Sequence, residues 1–152
     1  MPRIMEFTSN YQSKAKKFIL GILSEEFQLG HIKRPDLDAI SNFYQTKKSN
    51  FWIAVSGRKI IGTIALLDYG RNGYLKRMYV DKKYRGFGIA KDLLSTVLKY
   101  SKSEGFKKIY LGTFKEMKSA KKFYLKNNFK KIKSLPKEMP NLGDGIFYRL
   151  TL

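Results

Sequence analysis

The sequence predicts an α+β domain, a mixed and mostly antiparallel twisted sheet of about six to seven strands with about four helices. Three features carry that prediction. Residues 51–80 hold three short apolar runs broken by turn residues, which read as an antiparallel meander. Residues 89–103 place apolar side chains at helical spacing directly after a glycine-rich stretch. Strand-like and helix-like runs then follow in an order that does not fit a doubly wound parallel sheet.

Taken in order, Ile4 to Phe7 reads as a short first strand. From Tyr11 to Phe27 the residues Ala15, Phe18, Ile19, Ile22, Leu23 and Phe27 recur every three or four positions, which is one face of a helix. Pro35 suits the first turn of a second helix reaching about Tyr44. Phe51–Val55 and Ile60–Leu67 are strands joined by Ser56-Gly57-Arg58-Lys59. Arg71-Asn72-Gly73 then carries an Asn-Gly hairpin signal, and Tyr74–Val80 is the returning strand. The helix from Ile89 to Ser103 closes at Gly105, a natural position for positive φ. Lys108–Thr113 reads as a strand, Ser119–Lys126 as a helix, and Phe129–Leu135 and Ile146–Leu152 as the last strands. No linker, repeat or low-complexity block interrupts the chain, so residues 1–152 are expected to form a single domain.

Composition narrows the chemistry. With no cysteine there is no disulfide framework, no thiolate nucleophile and no sulfur-ligated zinc. A single histidine, His31, cannot build a multi-histidine metal site, so no metal is expected. No apolar run reaches the length of a signal peptide or a membrane span, and Met1 is not followed by glycine. The expectation is a soluble, cytoplasmic protein with no membrane partner. The formal net charge of +19 raises nucleic acid as a partner. However, 24 of the 31 basic residues are lysine, spread along the chain, whereas nucleic-acid readers lean on the flat fork of arginine. A solvated lysine surface is the favoured reading, and nucleic acid is not expected.

Between Val80 and the helix beginning at Ile89 stands Tyr84-Arg85-Gly86-Phe87-Gly88-Ile89-Ala90. Glycines allow a tight turn and a close approach to a ligand. Free amides at a helix N-terminus favour an anion, and Arg85 and Lys91 add charge at the edges. A phosphate or pyrophosphate site is the functional reading; an ordinary glycine-rich turn is the plain one. The nucleotide P-loop is excluded because no Gly-Lys-Ser/Thr follows at the right distance, and the three-glycine dinucleotide spacing also fails.

Val80-x-x-x-x-Arg85-x-x-Gly88-x-Ala90 resembles the coenzyme-A loop of the GNAT superfamily of acetyl-CoA-dependent N-acetyltransferases. Ala120-Lys121-Lys122-Phe123-Tyr124-Leu125-Lys126-Asn127-Asn128-Phe129 resembles the second landmark of that family, at the expected separation. The order of elements is similar as well, so the resemblance covers essentially the whole chain. It implies that acetyl-CoA is the cosubstrate and a primary amine the acceptor, with direct attack in a ternary complex. It implies that the strand ending at Val80 splays from its neighbour, with Met78 and Val80 as main-chain partners of the pantetheine arm and Tyr79 between them. Arg85, Gly86, Phe87, Gly88, Ile89, Ala90 and Lys91 would cradle the pyrophosphate. Tyr124 would be the general acid for the departing thiolate, unless it merely packs beside Phe123. Relatives frequently pair through their last strands, so a homodimer is a further expectation of the resemblance.

The chain departs from the family pattern at three places. Met117 stands where an asparagine is common, Asn128 where a turn glycine is usual, and Lys82 where a proline is frequent. The strand Tyr74–Val80, where many relatives carry a catalytic glutamate, holds Lys76 and Arg77 and no acid. Glu25, Glu26, Asp36 and Asp38 cluster in the helix-loop-helix region formed by the end of the first helix and the start of the second, which in the family covers the acceptor site. Glu26 is the candidate base or acceptor contact; the competing reading is helix-end acids with a cap at Asp36. His31 could relay a proton in the same loop. A compact chain without a peptide-reading module favours a small-molecule amine. A non-catalytic acyl-CoA-binding regulator is the alternative function.

Overall fold

The computed structural model describes residues 2–30, 32–140 and 145–152. Strands β1 (Arg3–Glu6), β2 (Asn50–Ser56), β3 (Lys59–Tyr69) and β4 (Asn72–Val80) pair in that order as antiparallel neighbours. Strand β5 (Lys108–Thr113) joins β4 in parallel, and β7 (Ile146–Thr151) lies between β5 and the edge strand β6 (Lys130–Ile132). Helices α1 (Gln12–Phe27), α2 (Ile40–Tyr44), α3 (Ile89–Ser103) and α4 (Lys118–Lys126) complete the described chain. The α+β class and the mostly antiparallel sheet are as the sequence predicts.

Strand β2 is buried along almost its whole length because the sheet is covered on both faces. Trp52 and Ala54 face a core shared with Leu93, Leu94 and Val97 of α3. Phe51, Ile53 and Val55 alternate to the other face, against Ala15, Ile19 and Leu23 of α1 and Tyr44 of α2. Each fully buried Leu or Ile side chain there contributes about 1.5–3 kcal/mol. Helix α3 ends as its sequence signals: Gly105 takes φ +83° and Phe106 N donates to Ser101 O at 3.0 Å.

Several expected boundaries move, each for a visible reason. The helix expected from Pro35 to Tyr44 is split into a 3-10 turn at Pro35–Leu37 and the short α2. Gln12 bridges the break, its amide nitrogen donating to Leu37 O (2.7 Å) and its oxygen accepting from Ile40 N (2.9 Å). The β3–β4 turn is Gly70-Arg71 and not Asn72-Gly73, because Tyr69 already pairs with Asn72. Gly70 takes the positive φ (+83°) and its N–H donates to Asp68 Oδ1 at 2.8 Å. Gly73 serves packing instead: a Cβ there would sit 2.7 Å from Leu66 Cδ1 and 3.0 Å from Ile109 Cδ1. The strand expected over Phe129–Leu135 contracts to Lys130–Ile132, the stretch that pairs with Phe147–Arg149 of β7.

Two irregularities in β4 open the sheet beside α3 and α4. Its register against β3 shifts between Thr63 and Ala65, and opposite that point Arg77 adopts φ +54°. This bulge changes which residues face which core: Leu75 before it, and Met78 and Val80 after it, all point to the α3 side. Second, β4 and β5 pair only over Asn72–Tyr74 and Lys108–Tyr110. Beyond those residues the two parallel strands have no pairing with each other, and a wedge opens between them.

Candidate active site

A cavity of about 400 Å³ is lined by Met78, Tyr79 and Val80 of β4 beyond the point where its pairing with β5 ends. Ala120, Phe123 and Tyr124 line it from α4, at the spacing that puts three side chains on one helix face. Ile22 and Glu26 line it from α1, one turn apart. Arg85 and Ala90 line it as well, so the glycine loop between them runs along its rim. Residues from four separate stretches of sequence thus meet around one opening.

Within the loop, Gly86 and Gly88 both have positive φ, +88° and +83°, and a Cβ on either would meet open space. Their glycine identity therefore serves backbone conformation and not the relief of a protein contact. The first bond of α3 runs from Asp92 N to Gly88 O at 3.0 Å, and Gly88 provides no side-chain cap. The amides of Ile89, Ala90 and Lys91 are left without an intrahelical partner, which suits an anion. The Ile89 side chain is buried in the core, so only its amide is available, while Phe87 is 77% exposed. Lys91 is exposed. Arg85 is held at both ends, with Nε donating to Val80 O (3.0 Å) and Nη2 to Glu26 Oε2 (2.8 Å).

Tyr124 is 5% exposed and packs edge-on against Phe123 and Phe129, with ring centroids at 5.5 and 5.3 Å. Burial pushes its phenol well above the ordinary tyrosine value, and the nearby Tyr79 and Tyr74 add to the shift. Among the described residues its hydroxyl makes no hydrogen bond. A neutral phenol at the lining of a cavity can give a proton and cannot take one. Asn128, just past α4, takes φ +73°, the conformation a glycine would otherwise supply.

The four acids expected near the acceptor are not brought together. Asp38 pairs with Lys16 at 2.5 Å and is well exposed. Glu25 is exposed and outside the cavity lining. Asp36 is 6% exposed and accepts two bonds from Arg77, from Nε and Nη2, both at 3.0 Å. Tyr44, itself fully buried, donates its hydroxyl to the same carboxylate at 2.5 Å. Burial alone would raise the Asp36 pKa, but the bonds from Arg77 and Tyr44 outweigh it and hold the carboxyl below its usual value. Asp36 is an anchor for the β4 bulge, with Thr63 Oγ1 holding the other side by donating to Arg77 O at 2.7 Å. Only Glu26 of the four reaches the cavity. Glu116, which no sequence signal marked, joins it there from the segment between β5 and α4. His31 lies outside the described residues. Among the described residues no cluster of three or more His, Asp or Glu is placed to hold a metal, and no helix is long and apolar enough to cross a membrane.

A splayed parallel pair, a glycine loop opening a helix and a buried tyrosine at their junction describe an acyl-coenzyme-A transferase architecture. The acetyltransferase (GNAT) family model matches residues 17–129, and the chain belongs to that family. It is 34% identical over 104 residues to N-acetyltransferase 8F1 of Rattus norvegicus, covering 64% of this chain and 47% of that protein. It is 33% identical over 124 residues to N-acetylaspartate synthetase of Xenopus tropicalis, covering 76% of this chain and 46% of that protein. The chain therefore spans under half the length of these relatives. Among solved structures, a GNAT-family acetyltransferase of Staphylococcus aureus Mu50 superposes with a TM-score of 0.93 at 37% identity, over 99% of each chain. The PaiA N-acetyltransferase of Thermoplasma acidophilum, in complex with coenzyme A, shares the fold at a TM-score of 0.79 and 17% identity, over 100% of this chain and 99% of that one.

Proposed function

We propose that the protein transfers the acetyl group of acetyl-CoA to a primary amine by direct attack in a ternary complex. The observation that carries this reading is the convergence of the β4 wedge, the glycine loop and Tyr124 on one cavity. The loop amides of Ile89, Ala90 and Lys91, with the charge of Arg85 and Lys91, bind the pyrophosphate. The main-chain groups of Met78 and the Val80 N–H, left without a β5 partner, hold the pantetheine arm as an added strand would, the Val80 carbonyl being taken by Arg85 Nε. One of those amides polarises the thioester carbonyl and steadies the oxyanion as the amine nitrogen bonds to carbon.

The amine must reach the carbonyl neutral. Glu26, the α1 acid in the lining, receives its proton. When the carbon–sulfur bond breaks, the Tyr124 hydroxyl protonates the departing thiolate, and the phenolate so formed takes the surplus proton of the acetylated nitrogen, which restores the phenol. Burial raises the phenol's pKa, so it is neutral beforehand and gives up its proton only as thiolate charge develops. The absence of cysteine leaves no thiol to carry the acetyl group, which supports direct transfer. A small-molecule amine acting in the cytoplasm remains the favoured acceptor, and a homodimer the expected assembly.

Calorimetric titration with acetyl-CoA, followed by thiol release across an amine panel, tests the reading. Binding together with amine-dependent release is expected. Binding without release from any amine would instead favour an acyl-CoA-binding regulator.

A further inference from the structure

A second cavity, of about 430 Å³, adjoins the first and shares Glu26, Phe27, Glu116 and Met117 with it. Its remaining walls are Gln28 and Leu29, just past α1, and Phe114, just past β5. Phe114 is 38% exposed, an aromatic ring that the protein's own core leaves open to solvent. Four apolar side chains, two carboxylates and the Gln28 amide thus line a space contiguous with the place assigned to the thioester.

The charge of this space is opposite to that of the molecule. The chain carries 31 basic residues against 12 acidic ones, yet among the described residues no lysine or arginine lines this cavity. Glu26 is already bonded to Arg85, whereas Glu116 makes no ion pair among the described residues. One end of the combined site is therefore cationic, at the glycine loop, and the other is apolar with a free carboxylate. A cationic group carried on an uncharged apolar body satisfies both features of that second end. An amino acid would bring its own carboxylate against Glu116, and a polyhydroxylated amine would set most of its hydroxyls against Phe27, Leu29 and Phe114, with the Gln28 amide and the two carboxylates as their only side-chain partners among the described residues.

We infer that the acceptor is a primary amine on an aromatic or aliphatic body without a carboxylate, the body seated against Phe114, Phe27 and Leu29 and the ammonium held by Glu116. This assignment rests on the acetyl-transfer reading for its product, but not for the binding it describes.

Calorimetry on the full chain saturated with coenzyme A tests it, with phenethylamine and hexylamine set against alanine and an aminoglycoside. The two apolar amines should bind at least about tenfold more tightly than the other two. Phe114→Ala, which does not touch the first cavity, should weaken phenethylamine about five- to twentyfold and leave coenzyme A affinity unchanged. Glu116→Gln should weaken both apolar amines by a similar factor. Equal or tighter binding of alanine or the aminoglycoside overturns the assignment, as does an unchanged phenethylamine affinity in Phe114→Ala. Selective amine binding without thiol release would uphold it and overturn the transfer reading. Thiol release with alanine but not phenethylamine would do the reverse.

Discussion

Asp36 and Arg77 form a bidentate ion pair, with both contacts at 3.0 Å, that ties the segment before α2 to the bulge in β4. Both side chains are about nine-tenths buried. Removing one partner strands the other charge, so Asp36→Ala should cost about 3–5 kcal/mol in urea unfolding. The double variant Asp36→Ala, Arg77→Gly removes both charges and places at position 77 a residue that takes positive φ freely. It should lose less stability than Asp36→Ala alone. Equal losses would show that the pair does not hold the bulge.

The same carboxylate sets a pH dependence. Its folded pKa lies below the unfolded one, since the bonds from Arg77 and Tyr44 outweigh the effect of burial. The stability it contributes is complete above the unfolded value of about 3.9 and is lost as pH falls through the folded value. Unfolding measured from about pH 5 down to pH 2 should fall less steeply in Asp36→Asn than in the wild type. Parallel curves would contradict this assignment of the acid limb.

Glu26 and Arg85 are bonded at 2.8 Å, but their side chains are 26% and 43% exposed. Solvent screening limits such a pair to about 0.2–1 kcal/mol, so Glu26→Gln should barely move the melting temperature. If Glu26 takes the acceptor's proton, the same substitution should lower kcat. An unchanged kcat removes Glu26 from that role.

Gly88→Ala meets no protein atom, yet it must keep φ +83°. The expected cost is about 1–2 kcal/mol of backbone strain. Acetyl-CoA affinity should fall as well, because the loop amides shift and the new methyl points into open space beside them. Calorimetry separates the two effects; full affinity in Gly88→Ala would argue against a pyrophosphate at this loop.

Where sequence and structure agree, the signal is local. Helix α3 and strand β5 begin and end where periodicity and glycine placement put them, at Ile89–Ser103 and Lys108–Thr113. The glycine loop was legible because its glycines adopt backbone angles that other residues resist. What was hidden depends on contacts distant in sequence. Nothing near Arg77 announces positive φ, because Asp36 and Thr63 impose it from other elements. The Asn72-Gly73 pair suggested a turn, but Gly73 is a glycine because Leu66 and Ile109 crowd it. Asp36 was legible as an acid and not as an anchor. Glu116 and Phe114 lie in a segment without periodicity, and only the fold brings them beside Glu26.

Tyr124 bears most directly on the central claim of acetyl transfer. Its phenol stays protonated through the alkaline range because burial raises its pKa, so no loss of activity near pH 10 should arise from this group. The decisive measurement is single-turnover formation of acetylated amine at saturating acetyl-CoA, followed by mass spectrometry in wild type and Tyr124→Phe. A fall of about 10²–10⁴ in rate with acetyl-CoA affinity retained is the predicted result. An unchanged rate in Tyr124→Phe, or no acetylated amine from the wild type, would contradict the account.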